Sequence, residues 1–255
     1  MEWRDEGVVI GLRRHGETSV VVEAMTRLHG RHLGLVRGGR SARHAGVLQP
    51  GNTLDLVWRA RLDEHLGAYR AEPLRLRAGR FLPNAMALAG LSYLGALMRL
   101  LPERDPHENL YGALSATLET LDDSTLAPAM FARFEASLLG ESGYALDLTQ
   151  CAVTGGIEAL VYVSPRSGRA VSEAAGRPWR EKLLPLPAFL RGDFAGGMPG
   201  AEDLEAAFRL TGHFLRRDLF QPRGQDLPEA RGSFLASAGI RTSPSDRSPS
   251  SASRP

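Results

Sequence analysis

The sequence predicts a multidomain β plus α protein, in which an N-terminal barrel of the oligonucleotide-binding (OB) type precedes an α-helical domain with a degenerate zinc-ribbon-like hairpin. Three observations predict this class: about five β-branched runs separated by turns in the first 75 residues, leucines that recur every three or four positions after residue 85, and a single cysteine that opens a hairpin pattern. The period changes from strand to helix close to residue 80. We therefore expect an OB-fold domain at 1–80, a helical domain at 81–238 and a disordered Ser/Pro-rich tail at 239–255.

The predicted barrel consists of short strands joined by turns. The runs GVVIGL and SVVVEAM flank a Gly-containing turn, which is a hairpin signal, and QPGN marks a later turn. Five strands with no long helix between them suit a small closed barrel. The predicted strands are 7–12, 19–25, 32–36, 53–59 and 66–72.

The helical domain is predicted from leucine periodicity and from capping signals. Leucines between residues 88 and 101 fall on one helical face. The run DPHE, beginning at Asp105, reads as an N-cap followed by proline at the first helical position and glutamate at the third, so a second helix is expected there. Further helices are expected at 128–143 and 200–220.

The segment TRLHGRHLGLVRGGRSAR, residues 26–43, is the strongest functional signal. No acidic residue occurs from 24 to 54, and residues 1–80 hold 14 arginines against 9 acids. Arginine binds phosphate through two hydrogen bonds and stacks on bases, and glycine lets the backbone approach a ligand closely, so the pattern favours a nucleic-acid backbone over a small metabolite. The alternative is a solvated basic hairpin with no ligand. The residues expected to contact nucleic acid are Arg13, Arg14, His15, Arg31, His32, Arg37, Arg40 and Arg43, the two histidines being the weaker candidates.

Three aromatic residues of the predicted barrel could either pack in its core or stack on bases. For Trp3 and Tyr69 the favoured interpretation is packing. The position of Trp58 at a strand end leaves base stacking open there.

The single cysteine stands in the spacing of a four-cysteine zinc ribbon. Cys151 and Thr154, then Ser172 and Ala175, occupy the positions of two C-x2-C knuckles that are seventeen residues apart. Structural zinc needs four ligands, so a lone thiol predicts no metal, and 151–175 is expected to form a hairpin closed by packing and hydrogen bonds. Reading Cys151 as a small buried hydrophobe leads to the same prediction.

Signatures of common enzymes are absent from the sequence. It holds neither a GxSxG nucleophile elbow nor a GxGxxG or phosphate-binding loop, and HENLY at His107 lacks the second histidine of a zinc protease. We expect no enzymatic activity, no catalytic residue and no cofactor. One cysteine, no secretory-signal layout and no convincing membrane span predict a cytoplasmic protein.

Longer motifs resemble a known family. These are DEGVVIGLRRHGETSVVVEAMTRLHGRHLGLVRGG at 5–39, LQPGNTLDLVWRARLDEHLG at 48–67, and CAVTGG with YVSPRSGRAVS. In this order they resemble the RecO family of bacterial DNA repair and recombination mediators, from about residue 3 to about residue 235. The resemblance implies an OB barrel followed by a helical domain with a zinc-ribbon-like insertion. Some members carry four zinc cysteines, and this chain departs from them at Thr154, Ser172 and Ala175.

The resemblance also implies activities and partners. Members of the family bind single- and double-stranded DNA, anneal complementary strands, and work with RecR and often RecF. Together these proteins load the RecA recombinase onto DNA coated by single-stranded-DNA-binding protein, whose acidic, hydrophobic C-terminal tail the family also binds. We therefore expect a cytoplasmic, nucleoid-associated protein that acts in DNA damage repair.

Three functional hypotheses remain open on the sequence. The leading one is a non-enzymatic DNA-binding recombination mediator that anneals strands. The second is a protein-interaction adaptor whose helical domain docks other repair proteins, with DNA held mainly by partners. The third is an RNA-binding OB-fold protein. Arginines available to a docking groove in the helical domain are Arg99, Arg133, Arg209, Arg216 and Arg217.

Overall fold

The structure is a computed structural model, which describes residues 1–193 and 197–241. By its contacts the chain divides into two compact units, Met1–Asp122 and Asp123–Pro255. The division predicted near residue 80 marks the change from strands to helices, whereas the contacts group the first helices with the strands. The domain bounds given by the sequence therefore stay a prediction.

The first unit contains one closed, mixed sheet of five strands. Its order is β1-β2-β3-β5-β4, and β4 pairs again with β1. All pairs are antiparallel except β3 with β5, which are joined in parallel at the single position Leu35↔Ala68. The prediction of five strands is confirmed, although β1 is much longer than expected. The strands are β1 Glu2–His15, β2 Ser19–Thr26, β3 Arg31–Val36, β4 Thr53–Arg59 and β5 Ala68–Arg75.

Alternating side chains of these strands form the core inside the sheet. Val9, Val22, Leu54 and Leu56 are all buried there. Trp58 is fully buried, and its indole N–H donates a hydrogen bond to the Leu66 carbonyl at 3.0 Å. Stacking of a base on Trp58, which the sequence left open, is therefore wrong.

Four helices accompany the sheet in the first unit, and α3 packs against β1. They are α1 Ala42–Ala45, α2 Ala78–Phe81, α3 Ala85–Met98 and α4 Glu108–Glu119. The N-cap predicted at Asp105 is wrong, because His107 holds that position. The residues before it run beside β3 instead. Glu103 forms an isolated β-bridge with Arg31, and a Cβ on Gly30 would lie 2.0 Å from the carbonyl oxygen of Asp105.

The second unit combines helices with a small three-stranded sheet of order β7-β6-β8. The helices predicted at 128–143 and 200–220 are present, the second continuing as a π-helix at Leu215–Phe220. The elements are α5 Ala127–Glu141, β6 Leu160–Val163, β7 Ala170–Ser172, α6 Glu173–Gly176, β8 Leu184–Pro185, α7 Ala201–Phe214 and α8 Glu229–Ser237. None of the helices in the described ranges is long and apolar enough to cross a membrane.

A buried ion pair connects three helices of this unit. The Glu135 carboxylate on α5 accepts a hydrogen bond from Arg231 Nε on α8 at 2.8 Å, with side-chain exposures of 0% and 3%. Thr211 on α7 donates its hydroxyl to the same carboxylate, and Arg231 also donates to the Phe208 carbonyl at 2.7 Å. Each polar group is thus satisfied, which burial of a charge requires.

The chain remains packed beyond the start of the predicted tail. Ile240 is buried, so the tail expected to be disordered from 239 begins with ordered residues. The remainder of that prediction, 242–255, lies outside the described residues.

Candidate nucleic-acid interface

In the folded chain, the two basic segments that the sequence identified lie next to each other. Arg13, Arg14 and His15 end β1 and are exposed, and the turn that follows leads into β2. The loop after β3 is tied to that turn, since the Arg40 backbone N–H donates to the Thr18 carbonyl at 3.0 Å and the Arg40 guanidinium donates to the Glu17 carbonyl. The end of the β1–β2 hairpin and the segment 37–43, which runs into α1, therefore form one basic surface.

Glycine permits this close approach of the loop to the sheet. A Cβ on Gly39 would lie 2.4 Å from Val20 Cγ2, and Gly38 has a φ of 65°, in the left-handed region. A side chain at Gly39 would push the loop away from β2, whereas at Gly38 the left-handed φ, rather than a clash, disfavours other residues. Gly39 thus allows the loop and its arginines to lie against the sheet.

A groove opens beside this surface where β3 and β5 separate. We call it the β3/β5 groove; its volume is about 540 Å³. Because the two strands pair at one position only, the sheet leaves a gap there with an apolar floor and a basic rim. It is lined by Leu35, Val36, Arg37, Arg43, His44, Ala68, Tyr69, Arg70, Ala71 and Glu72.

The positive charges on the groove and on the adjoining hairpin have few partners. Within the described ranges the side chains of Arg13, Arg14, Arg37 and Arg43 form no hydrogen bond or ion pair. Arg70 contacts Glu72 at 3.5 Å while remaining 79% exposed, which is a weak surface pair. These guanidinium groups are available to an anion.

Two of the predicted contact residues serve the fold instead. Arg31 is 14% exposed and contacts Glu23 at 2.8 Å, and its Nε donates to the Leu101 carbonyl at 3.1 Å. His32 is 2% exposed, because alternation along β3 turns it into the core, where Nδ1 lies 3.1 Å from the Tyr69 hydroxyl. Burial lowers the pKa of His32 to about 4, so it is neutral near pH 7. Assignment of Arg31 and His32 to the basic surface is corrected.

Sequence reasoning missed Arg70 and His44 of the groove. Alternation in AYRAE, with Tyr69 inward and Arg70 outward, was the signal for Arg70, but only the folded sheet places β5 beside β3.

A second groove of about 500 Å³ lies along the other side of β5 and includes Arg4 and Arg59. Both of these arginines are ion-paired, to Asp55 at 2.7 Å and to Glu2 at 2.8 Å.

In the second unit, three of the four positions that the zinc-ribbon spacing assigns to metal ligands lie close together. The buried Cys151 Sγ accepts a hydrogen bond from the Ser172 backbone N–H at 3.3 Å, and Thr154 also hydrogen-bonds to the thiol. Burial raises the pKa of Cys151, but the hydrogen bonds from Ser172 and Thr154 outweigh it and lower the pKa to about 6. No group of three or more His, Cys, Asp or Glu side chains in the described part of the chain could hold a metal ion.

Comparison with known proteins identifies the family. Residues 1–77 match the model of the recombination protein O N terminal domain, and residues 83–226 match that of its C terminal domain. The DNA repair protein RecO of Mesorhizobium japonicum is 56% identical over 237 residues, which cover 92% of this chain and 93% of that protein. The DNA repair protein RecO of Methylocella silvestris is 57% identical over 236 residues, covering 92% and 95%. The chain therefore belongs to the RecO family of DNA repair and recombination proteins.

Proposed function

We propose that this protein is a non-enzymatic, DNA-binding recombination mediator, and that the β3/β5 groove with the adjoining hairpin is its DNA-binding surface. The observation that supports this most is the set of unpaired arginines along a groove with an apolar floor. The strand order of the closed sheet is consistent with an OB barrel, whose strands 2 and 3 and first hairpin loop are its usual nucleic-acid face. The proposed surface uses β3 and the first hairpin loop of that face, together with β5.

Annealing follows physically from such a surface. Two complementary strands repel through their phosphates, and arginines that neutralise those phosphates lower the repulsion. Phosphate contacts carry no base information, so the protein holds strands of any sequence while the bases select their partners. This reaction needs charge and geometry, with no nucleophile or cofactor.

Fluorescence anisotropy of a labelled single strand across a range of salt concentrations tests this proposal. Contact of about five arginines with phosphates predicts a slope of log affinity against log salt of roughly −3.5, at about −0.7 per contact. Annealing of complementary labelled strands should accelerate over the same protein range. Failure to bind DNA even at low salt would favour the adaptor hypothesis.

A groove in the second unit supports protein docking as an additional function. It has a volume of about 600 Å³, and α5 contributes one wall. Leu146, Leu148 and Ile157 supply apolar surface, and Arg133 and Arg191 supply positive charge. An acidic, hydrophobic peptide fits this chemistry, and we propose the C-terminal tail of single-stranded-DNA-binding protein as its occupant.

Calorimetry with an acidic tail peptide tests the docking proposal. The Leu146→Asp variant should lose the heat of binding because it places a carboxylate in the groove, whereas the exposed Arg209→Ala variant should retain it. Binding that is equal in both variants would place the peptide elsewhere.

We further propose that the protein acts with RecR, and with RecF where present, to load the recombinase onto DNA coated by single-stranded-DNA-binding protein in the nucleoid. This step requires that DNA and the tail bind together. Competition between RNA and DNA oligomers of equal length separates the proposal from an RNA-binding function, which predicts preference for RNA.

A further inference from the structure

A second basic and aromatic surface lies on the second unit, on residues that do not line the groove containing Arg133. The 3₁₀-helix Arg177–Lys182, sequence RPWREK, follows α6 directly. Trp179 within it is 58% exposed, an unusual state for a large aromatic side chain. The sequence holds three tryptophans, and of the other two Trp58 is buried and Trp3 is stacked against the His29 ring at 4.1 Å.

Three cationic side chains lie in the same short helix as the exposed indole. Residues three apart lie above one another in a 3₁₀-helix, so Arg177 and Arg180 share one row, and Trp179 and Lys182 share the next. Lys182 Nζ lies 5.6 Å from the centre of the Trp179 ring. Arg177 and Arg180 are 77% and 70% exposed, and their nearest carboxylates, on Glu173 and Glu181, lie at 3.8 and 3.6 Å. Such contacts leave both guanidinium groups open to a stronger anion.

The fold anchors this segment at both ends. Before it, a Cβ on Gly176 would lie 2.5 Å from the Tyr162 ring, so the backbone packs directly on β6. After it, β8 pairs with β6 through Tyr162↔Pro185 and Val163↔Leu184. Pro178 further restricts the backbone within the segment. The indole is therefore presented on a fixed platform.

We propose that the segment 177–182 is a second single-strand-binding site, in which a base stacks on Trp179 and the adjacent phosphates contact Arg177, Arg180 and Lys182. An aromatic face among cations is the arrangement that single-stranded nucleic acid requires, because every base offers a π-face and every nucleotide a phosphate. A membrane surface fits less well, since it requires a broad apolar face and this segment has one large apolar side chain.

This inference rests on the proposed function and extends it. Annealing needs two strands held at once, and a site on each unit provides for one strand each. The base-stacking site should discriminate against duplex, because paired bases are already stacked on each other. The β3/β5 groove, which contacts phosphates, should accept both forms.

Intrinsic fluorescence of the full chain tests the site locally. Titration with a thymidine oligonucleotide should quench the emission in a saturable way, and the Trp179→Phe variant should lose most of that quenching. Duplex of the same length should produce little quenching. Quenching that persists unchanged in Trp179→Phe would overturn the proposal.

Affinity measurements provide the second test, in a full-length Arg37→Glu/Arg43→Glu background that weakens the groove. Trp179→Ala should reduce single-strand affinity by about 5- to 140-fold, the range for loss of one base–aromatic stack. Tyr144→Ala, which removes another exposed aromatic of the same unit, is the matched control and should change affinity by less than about twofold.

The two outcomes that count against the site are distinct. Equal affinities of the Trp179→Ala and Tyr144→Ala variants would overturn the second site and leave the groove intact. Absence of DNA binding by the unmodified chain at low salt would overturn both the site and the proposed function.

Discussion

Replacing Arg37, Arg43 and Arg70 together by alanine removes three guanidinium groups from the β3/β5 groove. Their side chains have no partner or only a weak surface contact in the described structure, so the fold should lose little stability. If each contacts one phosphate, the slope of log affinity against log salt for a single strand should become less steep by about 2, at about 0.7 per contact. At about 0.1 M salt the same contacts contribute roughly a factor of 100 to affinity, which the variant should lose.

Fluorescence anisotropy at several salt concentrations measures both quantities. The matched control is the variant with Arg27, Arg59 and Arg80 replaced by alanine, because these arginines are also exposed but are paired to Glu108, Glu2 and Asp122. It loses the same formal charge outside the groove. A control variant that loses affinity and slope to the same extent would refute a localised groove and indicate a general effect of net charge.

Three further predictions concern the fold that holds these sites. Arg231→Met should destabilise the protein by about 3–5 kcal/mol in urea unfolding because Glu135 loses its buried partner, whereas adding Glu135→Leu should recover most of the loss; equal losses in both variants would contradict this. The free energy of unfolding should fall by about 3 kcal/mol as the pH is lowered from 6.5 to about 4. The unfolded chain binds a proton at His32 near the ordinary pKa of histidine, whereas the folded chain binds one only near pH 4. His32→Gln should flatten that part of the pH profile, and an unchanged profile would assign it to other groups. Gly34→Ala should cost about 1–3 kcal/mol in thermal unfolding, because a Cβ would lie 2.4 Å from the Tyr69 ring; a neutral effect would mean that the ring can move.

Sequence patterns predicted those helices and strands whose signals lie within a few consecutive residues. The β-branched runs identified β1 to β4, and leucine spacing identified α3. The cap at Asp105 failed because the preceding residues pair with β3, a contact across some 70 positions that no local pattern contains. Helix α8 was missed for a similar reason. Its buried arginine, Arg231, is stabilised by Glu135, which lies 96 positions earlier in the sequence.

The basic surface was predictable in part. Exposure of Arg37 follows from the glycine-rich loop after β3, Arg43 is exposed on the short helix α1, and the structure places both on one groove. His32 was misassigned because its inward position follows from alternation along β3, which the charge pattern does not reveal. Arg31 was misassigned because its partner Glu23 lies on the neighbouring strand. Arg70 could be assigned to the groove only once closure of the sheet had placed β5 next to β3. Contact of any of these residues with DNA stays a prediction.

Photo-crosslinking with mass spectrometry locates the bound strand on the protein. A single strand carrying 5-iodouracil would be crosslinked to the full chain, and the modified peptides identified by mass spectrometry. The proposed interface predicts crosslinks within 35–44 and 68–72, the two segments that line the β3/β5 groove. Efficient crosslinking that leaves both segments unmodified would contradict it.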